Sequence, residues 1–295
     1  MSTKARAAGT VTIGSDLTVN RMGFGAMKIT GDGIWDMPAD KEKALDTLRT
    51  LPKLGVNFID TADAYGPETS ENLIREVLYP YKGLVVSTKG GLTRQGPGKW
   101  RPVGRPELLR QCVLMSLRRL GLKQLPLWHL HRIDPKVPRE DQFSEIRDMQ
   151  KEGLIRHVGL SEVTVADIKE AEKYFPVATV QNMYNIVTRK HEAVLKYCEE
   201  NNIVFIPWFP LASGELVKPN SFLHNAATQL NCSPAQVCLA WLLHHSPVML
   251  PIPGTTSAKH LQENFAAAEI RIPEKLYKEL DEWGKKAEDT PYPPE

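Results

Sequence analysis

The chain has 295 residues, 42% of them hydrophobic and 24% charged. That balance excludes wholesale disorder, a collagen-like repeat and a small disulfide scaffold. Lys and Arg outnumber Asp and Glu by 37 to 35, and the net charge of +2 gives no push toward nucleic acid.

Residues 1–10 lack the apolar stretch of a secretory leader, and no run reaches the ~18 apolar residues of a bilayer span, so a cytoplasmic protein without a membrane partner is expected. Residues 5–20 form a hairpin segment whose arms alternate over 11–19 around Gly14-Ser15, set where it can plug the base of a barrel. Then a rhythm begins. Short apolar, β-branched runs at 21–24, 57–60, 84–89, 125–130, 155–161, 177–182, 204–208 and 248–251 read as eight strands. Amphipathic stretches lie between them. The first, 40–54, carries Ala44, Leu45, Leu48 and Leu51 on one face, and the second, 69–78, opens on Thr69 as its N-cap. Helices are predicted at 105–120, 140–152, 165–173, 191–201, 233–245 and 257–267, with Ser233-Pro234 a strong start signal. A last helix at 273–286 and a loose proline-rich tail at 288–295 close the chain.

Eight strands, each followed by a helix, predict an α/β fold closed as a (β/α)8 TIM barrel, with an N-terminal hairpin and an extra C-terminal helix. An open dinucleotide-binding sheet would show G-x-G-x-x-G after its first strand, and Gly23-Phe24-Gly25-Ala26-Met27 does not fit. With no linker or repeat, residues 1–295 are expected to form one domain. The four cysteines, Cys112, Cys198, Cys232 and Cys238, form no C-x-x-C pair and are expected as small buried hydrophobes in a reducing compartment.

Barrel chemistry sits at the C-terminal ends of strands. Asp60 ends the second strand, with Asp63 and Tyr65 in the loop beyond; Lys89 ends the third, and His129 and His131 the fourth. An unpaired buried ammonium is costly, so Lys89 needs a partner, and Asp60 on the adjacent strand is the natural one. The ammonium is expected to draw the Tyr65 phenol below its ordinary pKa of about 10, fitting it to give and take a proton. His131 would orient the same oxygen. Each residue also has a plainer reading: Asp60 as a loop cap, Tyr65 as a packing ring, His129 as a polar packing residue, and His244-His245 bound to helix-end carbonyls. Met27, Trp35, Trp100 and Trp128 lie where loops can line a substrate pocket. The loop 93–104 reads as a lid or pocket wall, with Arg94, like Glu68, a solvated residue.

The chain resembles the aldo-keto reductase family over nearly its whole length. The resemblance rests on the hairpin, the Asp60…Tyr65 loop, Ser87-Thr88-Lys89, Leu130-His131-Arg132-Ile133-Asp134 and the 155–161 run. It continues through Val180-Gln181-Asn182-Met183-Tyr184-Asn185, Pro251-Ile252-Pro253-Gly254-Thr255 and Glu263-Asn264. It implies a catalytic tetrad of Asp60, Tyr65, Lys89 and His131, and hydride transfer from NADPH to an aldehyde or ketone. It also implies cofactor contacts from Gly25, Ala26, Met27, Ser161, Gln181, Trp208, Pro210, Leu211, Gly254, Thr255, Thr256, His260, Glu263 and Asn264. Two positions depart from the family pattern. Glu162 stands where an asparagine often helps hold the carboxamide, and Trp208 where a tyrosine more often stacks on the nicotinamide. His260 aligns with a 2′-phosphate arginine and is a weaker cation, with Lys259 beside it; NADP is still expected over NAD. No structural or catalytic metal is expected. The alternatives are a metal-dependent hydrolase using His129, His131 and Asp63, and a non-catalytic NADP-binding subunit like the potassium-channel β-subunits.

Overall fold

The computed structural model describes residues 4–211 and 221–287; the tail at 288–295 lies outside them. The strands are β1 (Thr10–Ile13), β2 (Leu17–Asn20), β3 (Phe24–Gly25), β4 (Phe58–Asp60), β5 (Val85–Gly90), β6 (Leu92–Arg94), β7 (Trp100–Pro102), β8 (Leu125–Leu130), β9 (Ile155–Ser161), β10 (Val177–Gln181) and β11 (Val204–Phe205). The helices are α1 (Lys41–Thr50), α2 (Thr69–Leu78), α3 (Pro106–Leu120), α4 (Arg139–Lys151), α5 (Val165–Ala171), α6 (Glu192–Glu200), α7 (Phe222–Gln229), α8 (Pro234–His245), α9 (Ala258–Ala266) and α10 (Glu274–Lys286). Seven strands pair in parallel in the order β11-β10-β9-β8-β5-β4-β3. The predicted eighth strand is present as an extended segment that closes the ring. Val248 O and Leu250 N bond Phe205 on one side, at 2.9 and 2.8 Å, and Pro251 O accepts from Gly23 N on the other at 2.9 Å. The fold is a TIM barrel, as the alternation predicts.

The predicted hairpin is β1–β2, paired from Thr10↔Asn20 to Ile13↔Leu17. Its Ile13 and Val19 are fully buried and share a cluster with Phe58, Val85, Leu127, Ala178, Val204, Ile206, Leu250 and Ile252. These are the inward-facing side chains at the closed end of the barrel, so the hairpin does plug it. The outward strand residues, among them Ile59, Val86, Trp128, Val158 and Phe205, form a separate core with the inner faces of the helices. Alternate residues of one strand thus belong to two different cores.

Helix boundaries follow the expected caps with one exception. Ser233 accepts from Gln236 N at 3.3 Å while the Gln236 side chain accepts from Ser233 N at 2.9 Å, a complete capping box for α8. Thr69, expected as the N-cap of α2, is instead its first helical residue. Its hydroxyl donates to Gly66 O at 2.8 Å, and Gly66 has φ +88° with no room for a Cβ against Thr69. That tight turn comes directly after Tyr65. The region read as a lid contains the hairpin β6–β7, paired from Leu92↔Pro102 to Arg94↔Trp100. Among the described residues no helix is long and apolar enough to cross a membrane.

Candidate active site

Inward positions change character along each strand. On β5 they run Val85, Ser87, Lys89; on β8 and just beyond, Leu127, His129, His131; on β4, Phe58 and Asp60. The open end of the barrel therefore collects the charged groups. Asp60 is 2% exposed, Lys89 0%, His131 6% and Tyr65 7%. Lys89 Nζ donates to Asp60 Oδ2 at 2.6 Å, to Thr61 O at 2.8 Å and to Tyr65 Oη at 3.4 Å. All three of its protons are thereby directed. The second carboxylate oxygen, Asp60 Oδ1, accepts from Gln181 Nε2 at 3.0 Å. The Tyr65 and His131 rings meet edge-on, with centroids 5.9 Å apart.

Burial would lower the pKa of Lys89, but Asp60 and Tyr65 together outweigh it and hold the ammonium above its ordinary range. For Tyr65 the balance runs against the expectation. Burial of the phenol raises its pKa, and Lys89 only partly offsets that. A buried phenol loses more by shedding its hydration than one ammonium at 3.4 Å returns. His131 is pushed well below its ordinary range by burial and then by Lys89, so its imidazole is neutral. Its Nδ1 is buried with no hydrogen-bond partner among the described residues.

A cavity of about 500 Å³ opens over this group. Of the expected residues it is lined by Gly25, Met27, Asp60, Tyr65, Trp100, His131, Ser161, Gln181, Trp208, Pro210, Leu211 and Gly254, while Lys89 lies beneath Asp60 and Tyr65. Gly254 is needed there, because a Cβ would stand 2.3 Å from Gly25 O, where the two walls meet. From Gly254 the chain leads through Thr255 and Thr256 into α9, with His260 exposed, Glu263 half-buried and Asn264 buried. Part of the polar capacity at that helix start is used internally. Thr255 Oγ1 accepts from Ser257 N at 3.1 Å, and Ser257 Oγ from His260 N at 3.4 Å.

Several expectations are corrected. Ala26 is fully buried in the outer core and is not among the residues lining the cavity; its carbonyl accepts from Ser70 Oγ at 3.3 Å. Trp128 is also buried in the outer core, against Cys112 and Gly90, because it is one residue out of phase with His129. Trp35 is half-buried and lies outside the cavity lining; its backbone bridges Gly66. Glu162 has φ +55°, and its carboxylate accepts from the Met183 amide at 2.5 Å and from Trp208 Nε1 at 2.8 Å. It therefore holds the indole and is not among the residues lining the cavity. His245 bonds Tyr184 Oη at 2.9 Å and Tyr277 Oη at 2.8 Å rather than helix-end carbonyls. Arg94, read as solvated, donates into the loops at Gly33, Ile34 and Ala64, and into its own turn at Gly96 and Lys99. Both His129 nitrogens are taken, by Ser87 Oγ at 3.2 Å and Thr179 Oγ1 at 2.8 Å, and the described residues contain no group of three or more metal-ligating side chains. Of the cysteines, Cys198 and Cys238 are buried, Cys112 and Cys232 only partly so, and all four are free.

Two basic residues of the cavity have no role assigned from the sequence pattern. Lys28 and Arg132 both line it, and Lys28 makes no ion pair among the described residues. Arg132 donates to Ser161 Oγ at 3.1 Å. A signal for Lys28 does exist in the sequence: it is a lysine three residues past the end of β3, between the apolar Met27 and Ile29.

A model of the aldo/keto reductase family matches residues 21–285. The chain is 64% identical over 281 residues to a Schizosaccharomyces pombe protein described as an uncharacterized oxidoreductase, covering 95% of this chain and 92% of that one. It is 40% identical over 279 residues to the pyridoxine 4-dehydrogenase of Escherichia coli, covering 92% and 97%. It is 30% identical over 324 residues to an S. pombe aldo-keto reductase designated NADP(+), covering 96% and 94%. Among solved structures, a thermostable aldo-keto reductase in complex with the inhibitor epalrestat superposes with a TM-score of 0.81 at 26% identity, covering 92% of this chain and 98% of that one.

Proposed function

The chain belongs to the aldo/keto reductase family, and from that membership we propose NADPH-dependent reduction of aldehydes or ketones to alcohols, with Tyr65 as the proton donor. The observation that carries the assignment of residues is the contact of Lys89 Nζ with both Asp60 and Tyr65 Oη at the floor of the cavity. A phenol whose pKa burial has raised remains protonated at neutral pH, which suits it to give a proton to the oxygen of a carbonyl as that oxygen gains charge. The phenolate so formed is stabilised by Lys89, whose charge Asp60 maintains; Gln181 in turn orients Asp60. The neutral His131 offers an N–H to the same carbonyl oxygen without placing a second full charge in the site.

NADPH supplies the hydride when bound. The residues suited to hold it are the Trp208 indole face for the nicotinamide, Ser161 for its carboxamide, Lys28 for the diphosphate, and the start of α9 with Lys259 and His260 for the 2′-phosphate. The NADP(+) designation of the S. pombe relative supports the same cofactor. A kcat/KM ratio for NADPH over NADH near or below one would overturn this preference. For the substrate, the pyridoxine 4-dehydrogenase relative and the mutually edge-on rings of Tyr65, Trp100 and His131 in the cavity lining support a ring-bearing carbonyl. A pyridine 4-aldehyde is the first to try. A cytoplasmic location fits a small-molecule reductase of this kind.

The test is NADPH oxidation against a panel of aldehydes and ketones, in the wild type and in Tyr65→Phe. The variant is expected to bind NADPH with unchanged affinity and to lose roughly 10²-fold or more in kcat, as for a lost general acid. Turnover retained in Tyr65→Phe removes Tyr65 from this role.

A further inference from the structure

Arg94 lies at the end of β6, outside the charged group, and has no carboxylate partner among the described residues. Its guanidinium donates instead to five backbone carbonyls. Nη1 bonds Ile34 O and, at 2.8 Å, Ala64 O; Nη2 bonds Gly33 O at 2.7 Å and Gly96 O at 3.4 Å; Nε bonds Lys99 O at 3.3 Å. Its central carbon also lies 3.6 Å from the ring centroid of Trp100. Only a planar, five-donor cation can serve this many acceptors and stack at once; an ammonium has three protons and no plane.

The segments joined in this way are those that shape one side of the cavity. Gly33, Ile34 and Trp100 line it, and Ala64 immediately precedes Tyr65 in the chain. Trp100 stands edge-on to Tyr65, with centroids 6.4 Å apart at 90°, and to His131 at 6.5 Å and 65°. The backbone ties between these loops are Gly98 N to Gly33 O at 2.9 Å and a two-bond bridge at Gly66, whose N bonds Ile34 O at 3.2 Å and whose O accepts from Asp36 N at 2.9 Å; the guanidinium joins all of them at one point.

We propose that Arg94 is a specificity-determining positioning residue that locks the Gly33–Ile34–Trp100 wall to the Tyr65 loop, so that planar, ring-bearing carbonyl substrates are held against Trp100 with their oxygen at Tyr65 and His131. This rests on the carbonyl-reductase reading of the cavity. A small aliphatic aldehyde needs the proton donor but not the wall. Loss of Arg94 is therefore felt by ring substrates and mainly in KM.

The test compares pyridine-4-carbaldehyde with propanal in wild type, Arg94→Lys and Arg94→Met, alongside the NADPH Kd from fluorescence quenching and the melting temperature. In both variants kcat/KM for the ring aldehyde is expected to fall about tenfold or more, chiefly through KM, with propanal within about threefold and the NADPH Kd within about twofold. Lysine is expected to fail as methionine does, because it keeps the charge but not the plane. Equal losses for both aldehydes, wild-type preference in Arg94→Lys, or a weakened NADPH Kd would each overturn the proposal. A purely structural role moves the melting temperature without moving the ratio of the two aldehydes. If the Arg94 variants fail to fold, Trp100→Leu tests the same wall: it must lose the preference for the ring aldehyde, and an unchanged preference overturns the proposal. A wild type that turns over neither these aldehydes nor any other carbonyl refutes the underlying reading. An active wild type whose variants keep their preference refutes only the role of Arg94.

Discussion

At the closed end of the barrel the inward side chains are Phe58, Val85, Leu127, Val204 and Leu250, packed against Ile13 and Val19 of the hairpin. At the open end, two or four residues further along the first three of those strands, they are Asp60, Lys89 and His131, equally withdrawn from water. Burial is the same and its energetic sign is not. An apolar side chain gains roughly 1.5–3 kcal/mol when buried. A buried ion pair about breaks even at best, and losing one partner is costly. The closed end holds the strands together, and the open end is tolerated because the strands are already held. A site of this kind needs such a base beneath it.

That contrast predicts its own largest failures. Asp60→Ala leaves the Lys89 ammonium in a dry site with only Thr61 O and Tyr65 as partners, and should cost about 3–5 kcal/mol of stability together with activity. Replacing both partners, as Asp60→Leu with Lys89→Met, should restore most of that stability and none of the turnover. Denaturant melts of the two variants decide it: if the double variant is no more stable than Asp60→Ala, the pair is not the source of the cost. Phe58→Ala, two residues below Asp60 on the same strand face, should lose a similar amount, about 3–5 kcal/mol, by cavity formation. Its folded fraction should keep near wild-type kcat. A large fall in kcat per folded molecule would mean that the two ends are not separable.

Asp63 extends the contrast to pH. It lies in the loop before Tyr65, and burial, with a further push from the Glu71 carboxylate, raises its pKa from 3.8 to about 7. Its Oδ1 has no hydrogen-bond partner among the described residues. The folded protein therefore binds this proton more tightly than the unfolded chain. The stabilisation is complete below pH about 4 and is lost as pH rises toward 7. Asp63→Asn stays neutral throughout and should flatten that decline, by at most about 4 kcal/mol between pH ~4 and ~8. Parallel pH profiles for wild type and variant would clear Asp63 of the effect.

Much of the open end was legible because a charged residue rarely closes an apolar strand unless a neighbouring strand supplies its partner, as with Lys89 and Asp60. The ring of eight was legible from the alternation alone, and so was the hairpin that plugs it. What stayed hidden depended on facts that sequence does not carry. Trp128 and His129 are neighbours in the chain but face different cores, and the phase of the strand decided which one met the barrel interior. Arg94 is satisfied by carbonyls from distant loops, and backbone acceptors leave no mark on residue identity. The direction of the Tyr65 pKa turned on how completely the phenol is enclosed, whereas the sequence offered only the proximity of Lys89.

Glu162 gives the smallest and finest test, because it acts on the open end from behind the wall. Burial alone would raise its pKa, but His191, the Met183 amide and the Trp208 N–H outweigh that and bring it to about 2. It is therefore a carboxylate at any working pH, and its bond to Trp208 Nε1 at 2.8 Å fixes the plane of an indole that lines the cavity. Glu162→Gln keeps an acceptor oxygen and loses the charge, so NADPH binding should weaken by about 1 kcal/mol or less. Trp208→Phe keeps a ring and removes the N–H. If Glu162 works through that proton, Glu162→Gln should have almost no further effect on the NADPH Kd in the Trp208→Phe background. Strictly additive losses in the double variant would show that Glu162 reaches the cofactor by some other route, and the indole would then owe its orientation to the backbone ties of Trp208 with Asn182 and Tyr184.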